Sequence, residues 1–372
     1  MSSKVKVLAM YLPQYHRIPE NDAFWGEGFT DWVSVKNAKP LYAGHNQPRI
    51  PLNNNYYDLS EKGSVAWQAG LAKEYGVYGF GIYHYWFNSE KNLLTKPAEI
   101  ILNNDIDINF FFTWDNLSWK RSWSNVKGAN DWAPNMDTSK GQGPAILIPY
   151  ILGMKEDWEK HYLWLSPFFK DPRYIKKDNR PMFSILHYSN EIAEMCRYWD
   201  RLAQEDGFDG MFFVFEHRKK NHGLSGTDFV FKYEPTYSGW ESEPIIDKMI
   251  RKVRTEFIDR GGVKSVFNYD VIWKRIIKNA EDMPEPNIFH GAVVAFDDTP
   301  RRGKRARLIE NSSPQKFEKY MSQLINISSN QNKDFLFLIA WNEWGEGAML
   351  EPDEIDGYSY LEALRNAINS LK

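Results

Sequence analysis

Hydrophobic residues form eight short, nearly continuous runs along the chain, the pattern typical of strands that are buried on both faces. The runs cover residues 5–11, 77–87, 108–114, 181–188, 211–217, 228–235, 291–298 and 335–343. Segments with helical spacing of apolar residues lie between several of them, at 64–76, 191–207 and 313–330. Eight strands that alternate with helices predict the α/β class, as a single (β/α)8 TIM barrel.

The connections between the predicted strands are long in two places, residues 12–63 and 115–180, and we expect them to be βα loops. No linker, repeat or low-complexity segment divides the chain, so we predict one catalytic barrel over residues 1–372. A doubly wound fold would instead require a glycine-rich phosphate loop after the first strand. The sequence there, YLPQYHRIPE (11–20), contains no glycine.

Charge and hydropathy exclude several classes of protein. The formal net charge of −3 gives no electrostatic reason to bind nucleic acid. The sequence has no apolar segment of the roughly 18–20 residues that a membrane span needs, and it does not begin with a cleavable leader. We therefore expect a cytoplasmic protein without membrane insertion. Cys196 is the only cysteine, which excludes an internal disulfide and a thiolate metal cluster.

Aromatic residues are the unusual part of the composition. The chain has 15 Trp, 20 Tyr and 23 Phe, yet its mean hydropathy is −0.57, so many rings must lie beside polar groups. Sugar-binding clefts have this mixture, although a ring-rich core under a polar surface would give the same composition.

Polar and aromatic side chains recur where the predicted strands end. In (β/α)8 barrels the active site lies at the C-terminal ends of the strands. We therefore predict that the residues closing these runs line one sugar-binding cleft, in which rings stack on sugars and polar groups hold their hydroxyls. They are Tyr11, Gln14, Tyr83, His84, Trp86, Trp114, Asp115, Tyr233, Glu234, Asp297, Asn342 and Trp344.

The last predicted strand runs into the sequence AWNEWGEG (340–347), which places Glu343 and Glu346 beside Trp344. Cleavage of a glycosidic bond needs one acid to protonate the leaving oxygen and a second carboxylate as base or nucleophile. Residues three apart on a regular strand face opposite ways. Glycines at 345 and 347 allow the backbone to turn, so that both carboxylates can face one pocket.

Other chemistries have weaker support. The sequence has no H-E-x-x-H metal motif and no G-x-S-x-G serine elbow, and we expect neither a metal nor a cofactor. The basic run RRGKRAR (301–307) could bind a phosphate, but we favour a solvated loop.

Several long stretches are similar to one known family, the bacterial WbsX-type proteins. They are residues 11–35, 47–60, 79–87, 168–183, 296–305 and 341–368. These proteins resemble glycoside hydrolase family 99 at the motif NEW-x-EG, and the resemblance covers nearly the whole chain. It implies a (β/α)8 barrel that acts on α-mannosides and related sugars, with retention of configuration and without a metal.

The resemblance also implies roles for the two glutamates. Glu343 corresponds to the base that removes the proton from the sugar's own 2-hydroxyl, whose oxygen then attacks the anomeric carbon. Glu346 corresponds to the acid that protonates the leaving oxygen, and such an acid works best when burial among Trp341, Trp344 and tyrosines raises its pKa. After the third strand the family usually has a sequence close to WANE-x-W. This chain has WDNLSW (114–119), with Asp115 as the acidic residue there.

Three functions follow from these observations. The leading hypothesis is an enzyme that cleaves or transfers at an α-glycosidic bond in bacterial O-antigen or capsule metabolism, to which the WbsX-type resemblance points. The second is a glycosyltransferase with a nucleotide- or lipid-linked donor, although no D-x-D motif follows a predicted strand. The third is a catalytically inactive sugar-binding protein. In each case the expected partner is an oligosaccharide or polysaccharide, free or lipid-linked.

Overall fold

The computed structural model describes residues 5–120, 146–218, 223–257 and 260–370. Its eight main strands are β1 Lys6–Tyr11, β2 Gly79–Asn88, β3 Asn109–Trp114, β4 Arg180–Ile185, β5 Phe212–His217, β6 Val230–Lys232, β7 Ile288–Val293 and β8 Phe335–Ile339. Each pairs in parallel with the next along the chain, and β8 pairs with β1. The sheet is therefore a closed parallel barrel, and the predicted fold class is confirmed.

Helices lie in the connections between the strands, most of them on the outside of the barrel. They are α1 Pro19–Trp25, α2 Asp31–Asn37, α3 Lys62–Glu74, α4 Lys96–Asn103, α5 Lys155–Lys170, α6 Asn190–Glu205, α7 Ile245–Phe257, α8 Tyr269–Glu281, α9 Thr299–Arg302, α10 Pro314–Asn330 and α11 Ser359–Asn369. The three predicted helical segments correspond to α3, α6 and α10. Ser189 and Ser313 begin α6 and α10 by accepting hydrogen bonds from backbone N–H groups of the first turn.

The long connections contain structure of their own. Residues 12–63 hold α1, α2 and a short 3-10 helix, Leu52–Asn54. The prediction of a loop over 115–180 is corrected by α5, which covers the outside of the barrel after β3; residues 121–145 of this connection lie outside the described ranges. In the described part of the β5–β6 connection, residues 218 and 223–229, there is no helix. No helix in the described ranges is long and apolar enough to cross a membrane.

Strand register decides which side chains enter the barrel, because neighbouring residues on a strand point to opposite faces. The Phe231 and Phe337 rings stand 4.5 Å apart although β6 and β8 are not neighbours, so they meet across the interior. Phe111 of β3 reaches Phe337 from another side, with ring centroids 5.9 Å apart. These rings close the barrel below its C-terminal mouth and form a floor for any site above.

The interior has no spare room beside Phe111. A Cβ at Gly81 would lie 2.6 Å from a ring carbon of Phe111 and 2.9 Å from the sulfur of Met10. Overpacking of this kind costs about 1–3 kcal/mol. We therefore expect Gly81→Ala to lower the free energy of unfolding by that amount in urea titrations.

Gly70→Ala is the matched control, because a Cβ at this helical position in α3 meets no atom within 4 Å. Alanine is the better helix former, so this change should stabilise the protein by about 0.5–1 kcal/mol. Equal effects of the two substitutions would contradict the packing described for the barrel interior.

Candidate active site

The segment that follows β8 is a tight turn that carries both motif glutamates. Asn342–Glu343 pairs antiparallel with Ala348–Met349, and the 3-10 helix Trp344–Glu346 joins them. Gly347 has φ +58°, and a Cβ there would lie 3.1 Å from that of Asp297. A Cβ at Gly345 would lie 2.6 Å from both Arg301 and Asp31. Glycine at both positions lets the turn approach its neighbours, so that Glu343 and Glu346 reach the same group.

That group is the guanidinium of Arg301, which α9 supplies from the β7–β8 connection. One terminal nitrogen donates to Asp31 at 2.9 Å and to Glu343 at 3.0 Å, and the other donates to Glu346 at 2.9 Å. A planar guanidinium can hold several carboxylates in fixed directions, which a lysine cannot do. The expectation that the whole basic run 301–307 is a solvated loop is therefore wrong for Arg301.

The two motif glutamates differ in how deeply they are buried. The Glu343 side chain is 6% exposed and that of Glu346 is 25% exposed. Burial raises the pKa of Glu343 above the ordinary glutamate value; the charge of Arg301 opposes this rise, and the charges of Glu346 and Asp31 add to it. The resemblance implied burial of Glu346, whereas Glu343 is the more buried of the two side chains.

Three tyrosines stand on the mouth side of the barrel floor. The hydroxyls of Tyr83 and Tyr233 lie 2.5 Å apart, and burial raises the pKa of both, with a further contribution from Glu343. Burial also raises the pKa of Tyr85, helped by the charges of Asp115 and Glu343. Tyr83 and Tyr85 both point inward because they are two residues apart on β2.

Polar side chains complete this inner layer. The Gln14 side chain is buried beside Tyr85 and opposes the rise in the pKa of that hydroxyl. Burial raises the pKa of Asp115 to about 6, against the charge of Arg218. Glu216 shares the inward register of Phe231, and burial raises its pKa to about 7 although it pairs with Arg218 at 2.9 Å. The mouth therefore gathers carboxylates, hydroxyls and rings in one layer.

Three predicted cleft residues point the other way, toward α5. His84 lies 2.8 Å from His161, Trp86 stacks on His161 at 4.3 Å, and the Trp114 ring lies 4.9 Å from it. His84 and Trp86 alternate with Tyr83 and Tyr85 on β2, so register turns them outward. The prediction that His84, Trp86 and Trp114 line the sugar cleft is corrected: they pack the layer between the barrel and its helices.

Tyr11 and Glu234 also lie outside the cleft. The Tyr11 hydroxyl donates to Gln68 of α3 at 2.6 Å. Glu234 accepts hydrogen bonds from the backbone N–H and the hydroxyl of Ser238, which fixes the short π-helix Thr236–Glu241. Both side chains are held by contacts outside the barrel interior. The prediction that Tyr11 and Glu234 line the cleft is corrected, because strand register turns them away from the interior.

Asn342 and Trp344 hold the turn after β8 in place through buried hydrogen bonds. Both atoms of the Asn342 amide bind the backbone of Leu12, at 2.7 and 3.0 Å. The Trp344 indole N–H donates to Glu351 at 2.6 Å, and Glu351 also accepts from Tyr57. Asn342 and Trp344 are at most 1% exposed, so they hold the turn in place. The prediction that they contact sugar is corrected.

Asp297 lies at the edge of the site. It accepts hydrogen bonds from His45 at 2.9 Å and Gln47 at 2.6 Å, and its backbone N–H donates to the carbonyl of Glu346. The backbone N–H of Leu41 donates to Nδ1 of His45, so Nε2 carries the proton that Asp297 accepts. Burial opposes ionisation of Asp297, but these hydrogen bonds lower its pKa. Asp297 borders a cavity of about 390 Å³, which Gly347 also lines and the two motif glutamates do not.

Five residues of this site were not predicted from the sequence: Asp31, Tyr85, Glu216, Arg218 and Arg301. Tyr85 and Glu216 close predicted strands, and alternation with Tyr83 was the signal that could have separated Tyr85 from His84. Asp31 and Arg301 are in contact although they are 270 residues apart in the sequence, and no local sequence pattern indicates that pair. In the described ranges no group of three or more His, Cys, Asp or Glu side chains is arranged to hold a metal ion.

Comparison with known proteins assigns the family. The sequence profile of the glycosyltransferase WbsX family matches residues 7–364, and the chain belongs to that family of carbohydrate-active proteins. A protein named WxcX from Xanthomonas campestris, described as uncharacterized, is 28% identical over 372 residues. The match covers 97% of this chain and 49% of WxcX, so the chain spans about half the length of this relative.

Solved structures share the fold at low sequence identity. The family 99 endo-α-mannosidase from Bacteroides thetaiotaomicron superposes with a TM-score of 0.55 and 11% identity, over 98% of this chain and 96% of that one. A glycoside hydrolase-like protein gives a TM-score of 0.57 and 12% identity, over 98% and 94% of the two chains. At such identities the likeness establishes the barrel fold alone.

Removal of the bridging guanidinium should destabilise the protein. Arg301→Met leaves Asp31, Glu343 and Glu346 without their shared cation, and loss of one partner of a buried ion pair costs about 3–5 kcal/mol. We expect a loss of that size in the free energy of unfolding near pH 8, measured in urea. Arg305→Met, in the same basic run but exposed, is the control and should change stability by less than about 0.5 kcal/mol. Similar losses in both variants would contradict the bridge.

The pKa of Glu343 predicts a pH dependence of stability. Because the folded state holds this proton more tightly than the unfolded chain, the stability that it provides is present below about pH 4.5 and is lost as the pH rises toward about 8. Glu343→Gln should flatten the fall in unfolding free energy over this window by an amount on the order of 1–3 kcal/mol. Burial raises the pKa of Glu216 and Glu351 as well, so part of the slope should remain.

Glu362→Gln, at an exposed position of α11, is the matched control for this titration and should leave the slope unchanged. A slope in Glu343→Gln equal to that of the wild-type protein would show that Glu343 ionises at the ordinary value for a glutamate.

Proposed function

We propose that this member of the glycosyltransferase WbsX family cleaves or transfers at an α-glycosidic bond with retention of configuration, in the metabolism of bacterial O-antigen or capsule. One observation carries the proposal: Arg301 holds Glu343 and Glu346 on adjacent nitrogens at the mouth of the barrel. The tyrosines Tyr83, Tyr85 and Tyr233 stand in the same layer and offer rings and hydroxyls to a sugar. We treat residues 1–372 as one catalytic unit.

Glu343 is the proposed base for the 2-hydroxyl of the sugar. A carboxylate with a raised pKa is a stronger base once ionised, and the hydrogen bond from Arg301 favours the ionised form. As Glu343 takes the proton, the 2-oxygen forms a bond to the anomeric carbon and the bond to the leaving oxygen breaks. Burial of Glu343 excludes water, which would otherwise compete for the proton.

Glu346 is the proposed acid. Its side chain is more exposed than that of Glu343 and lies at the edge of the mouth, where a departing group or an incoming acceptor has access. It gives a proton to the leaving oxygen in the first step. In the second step it takes a proton from water or from an acceptor hydroxyl, which opens the 1,2-anhydro ring while Glu343 returns its proton to the 2-oxygen. Two inversions at the anomeric carbon give net retention.

The mutant pair tests these roles with α-linked mannosides, the substrate class named for the similar mannosidase. Glu343→Gln keeps the shape and removes the base, so we expect kcat/KM to fall by at least about 100-fold on every substrate while sugar binding persists. Glu346→Gln should retain activity on α-glycosyl fluorides, whose leaving group needs no proton. On α-glycosyl fluorides, which need no proton from Glu346, activity of the wild-type protein should rise with pH as Glu343 ionises.

Glu362→Gln serves as the surface control. An inverted product, a covalent sugar on Glu343, or full activity in either active-site variant would overturn the assignment. Binding of sugar without turnover by the wild-type protein would instead support the inactive sugar-binding hypothesis.

A glycosyltransferase with a nucleotide- or lipid-linked donor is the second candidate, and the family description favours it. Both candidates use the same carboxylates, but they differ in the leaving group. Release of a nucleoside diphosphate from a nucleotide sugar, dependent on Glu346, would support the second candidate. Cleavage of an oligosaccharide that contains no phosphate would support the first.

A further inference from the structure

Helix α7 presents an apolar face to solvent. Its exposed apolar side chains, with their exposed fractions, are Ile245 73%, Ile246 70%, Met249 62%, Ile250 60%, Val253 57% and Phe257 85%. With 3.6 residues per turn these positions fall on one side of the helix. Ordinary surface helices pack such an apolar side against the core. In α7 the apolar side is exposed to solvent instead.

The polar side of the same helix faces the protein. Asp247 pairs with Arg275 of α8 at 2.6 Å, and Arg251 pairs with Glu243 at 2.9 Å. The Arg251 guanidinium also lies 4.4 Å from the centre of the Phe267 ring. A cavity of about 230 Å³, lined by Asp247, Ile250 and Arg251 of the helix, separates part of α7 from α8. Charged contacts therefore hold α7 in an orientation that leaves its apolar side available.

The charge of α7 differs from that of the chain. Residues 245–257 include four basic and two acidic residues, a formal charge of +2, whereas the whole chain carries −3. Lys248 and Lys252 are exposed, and helical geometry places both along one edge of the apolar side. Apolar side chains bordered by lysines are complementary to an anionic lipid surface.

We propose that α7 is a peripheral membrane-binding element. Its apolar side enters the boundary between head groups and acyl chains of a bilayer, and Lys248 and Lys252 bind anionic head groups. A helix of 13 residues is too short to span a membrane, so binding is reversible and interfacial. This inference does not depend on the reaction proposed above.

A second copy of the chain fits the surface less well. One face of a helix this short offers on the order of 200–300 Å², whereas a stable dimer buries about 800 Å² from each partner. An antiparallel pair would also bring the two lysine edges together, where like charges repel.

The position of α7 connects it with the candidate active site. Phe267 packs on Trp240 at 4.3 Å, and Arg307 lies 5.1 Å above the Trp240 ring. The backbone N–H of Arg307 donates to Asp298, the neighbour of Asp297 at the barrel mouth. A continuous series of contacts therefore joins the inner side of α7 to the loops at the mouth of the barrel.

Vesicle sedimentation tests the proposal with the full chain. We expect the protein to sediment with vesicles of phosphatidylcholine and phosphatidylglycerol and to bind vesicles of phosphatidylcholine at least about tenfold more weakly, with binding to the anionic vesicles falling as salt is added. The triple variant Ile246→Glu, Met249→Glu, Ile250→Glu should stay in the supernatant. The double variant Lys248→Gln, Lys252→Gln should bind anionic vesicles at least about tenfold more weakly.

Leu163→Glu on α5, 59% exposed, is the matched control and should bind as the wild-type protein does. Because every altered side chain is exposed, near-ultraviolet circular dichroism should be unchanged in all variants. Failure of the wild-type protein to bind anionic vesicles, or equal binding by the triple variant, would overturn the proposal. A dimer seen by analytical ultracentrifugation and lost in the triple variant would also overturn it, and would assign the face to a second copy.

Discussion

The arrangement of the site depends on one buried cation. Asp31, Glu343 and Glu346 would repel one another if they were gathered in a closed space without a counterion. Arg301 binds all three through two nitrogens of a rigid plane. The guanidinium therefore fixes the directions of both motif glutamates, and it does so from a part of the chain that is distant from the motif.

The same contact organises the loops above the barrel. Asp31 belongs to α2 in the connection after β1, Arg301 belongs to α9 after β7, and the glutamates belong to the turn after β8. Three connections thus meet at one ion cluster. The glycines at 345 and 347 are part of this constraint, because a side chain at either position would push Arg301 or Asp297 away. The position of the turn, the position of the loops and the ionisation of Glu343 therefore all depend on the contacts of Arg301.

The fold could be predicted from the sequence because its signal is local. Each barrel strand is a run of apolar residues, and α3, α6 and α10 have clear helical periodicity, so neighbouring positions alone identify them. The site could be predicted only in part. Nearness to a strand end selected Tyr83 and Tyr233, which point into the barrel, but also His84 and Glu234, which point away from it. The direction of each side chain depends on strand register, which cannot be read from the sequence alone. Arg301 was missed because its partners are remote in the chain.

We propose that the cluster around Arg301 performs glycosidic chemistry. The most direct test is to incubate the protein with the surface polysaccharide of the organism that encodes it, and to measure the masses of the products beside a parallel reaction with Glu343→Gln. We expect products that differ from the starting polysaccharide by whole sugar units, formed by the wild-type protein and absent with the variant. Unchanged masses in both reactions, or the same products from both, would contradict glycosidic chemistry at this cluster.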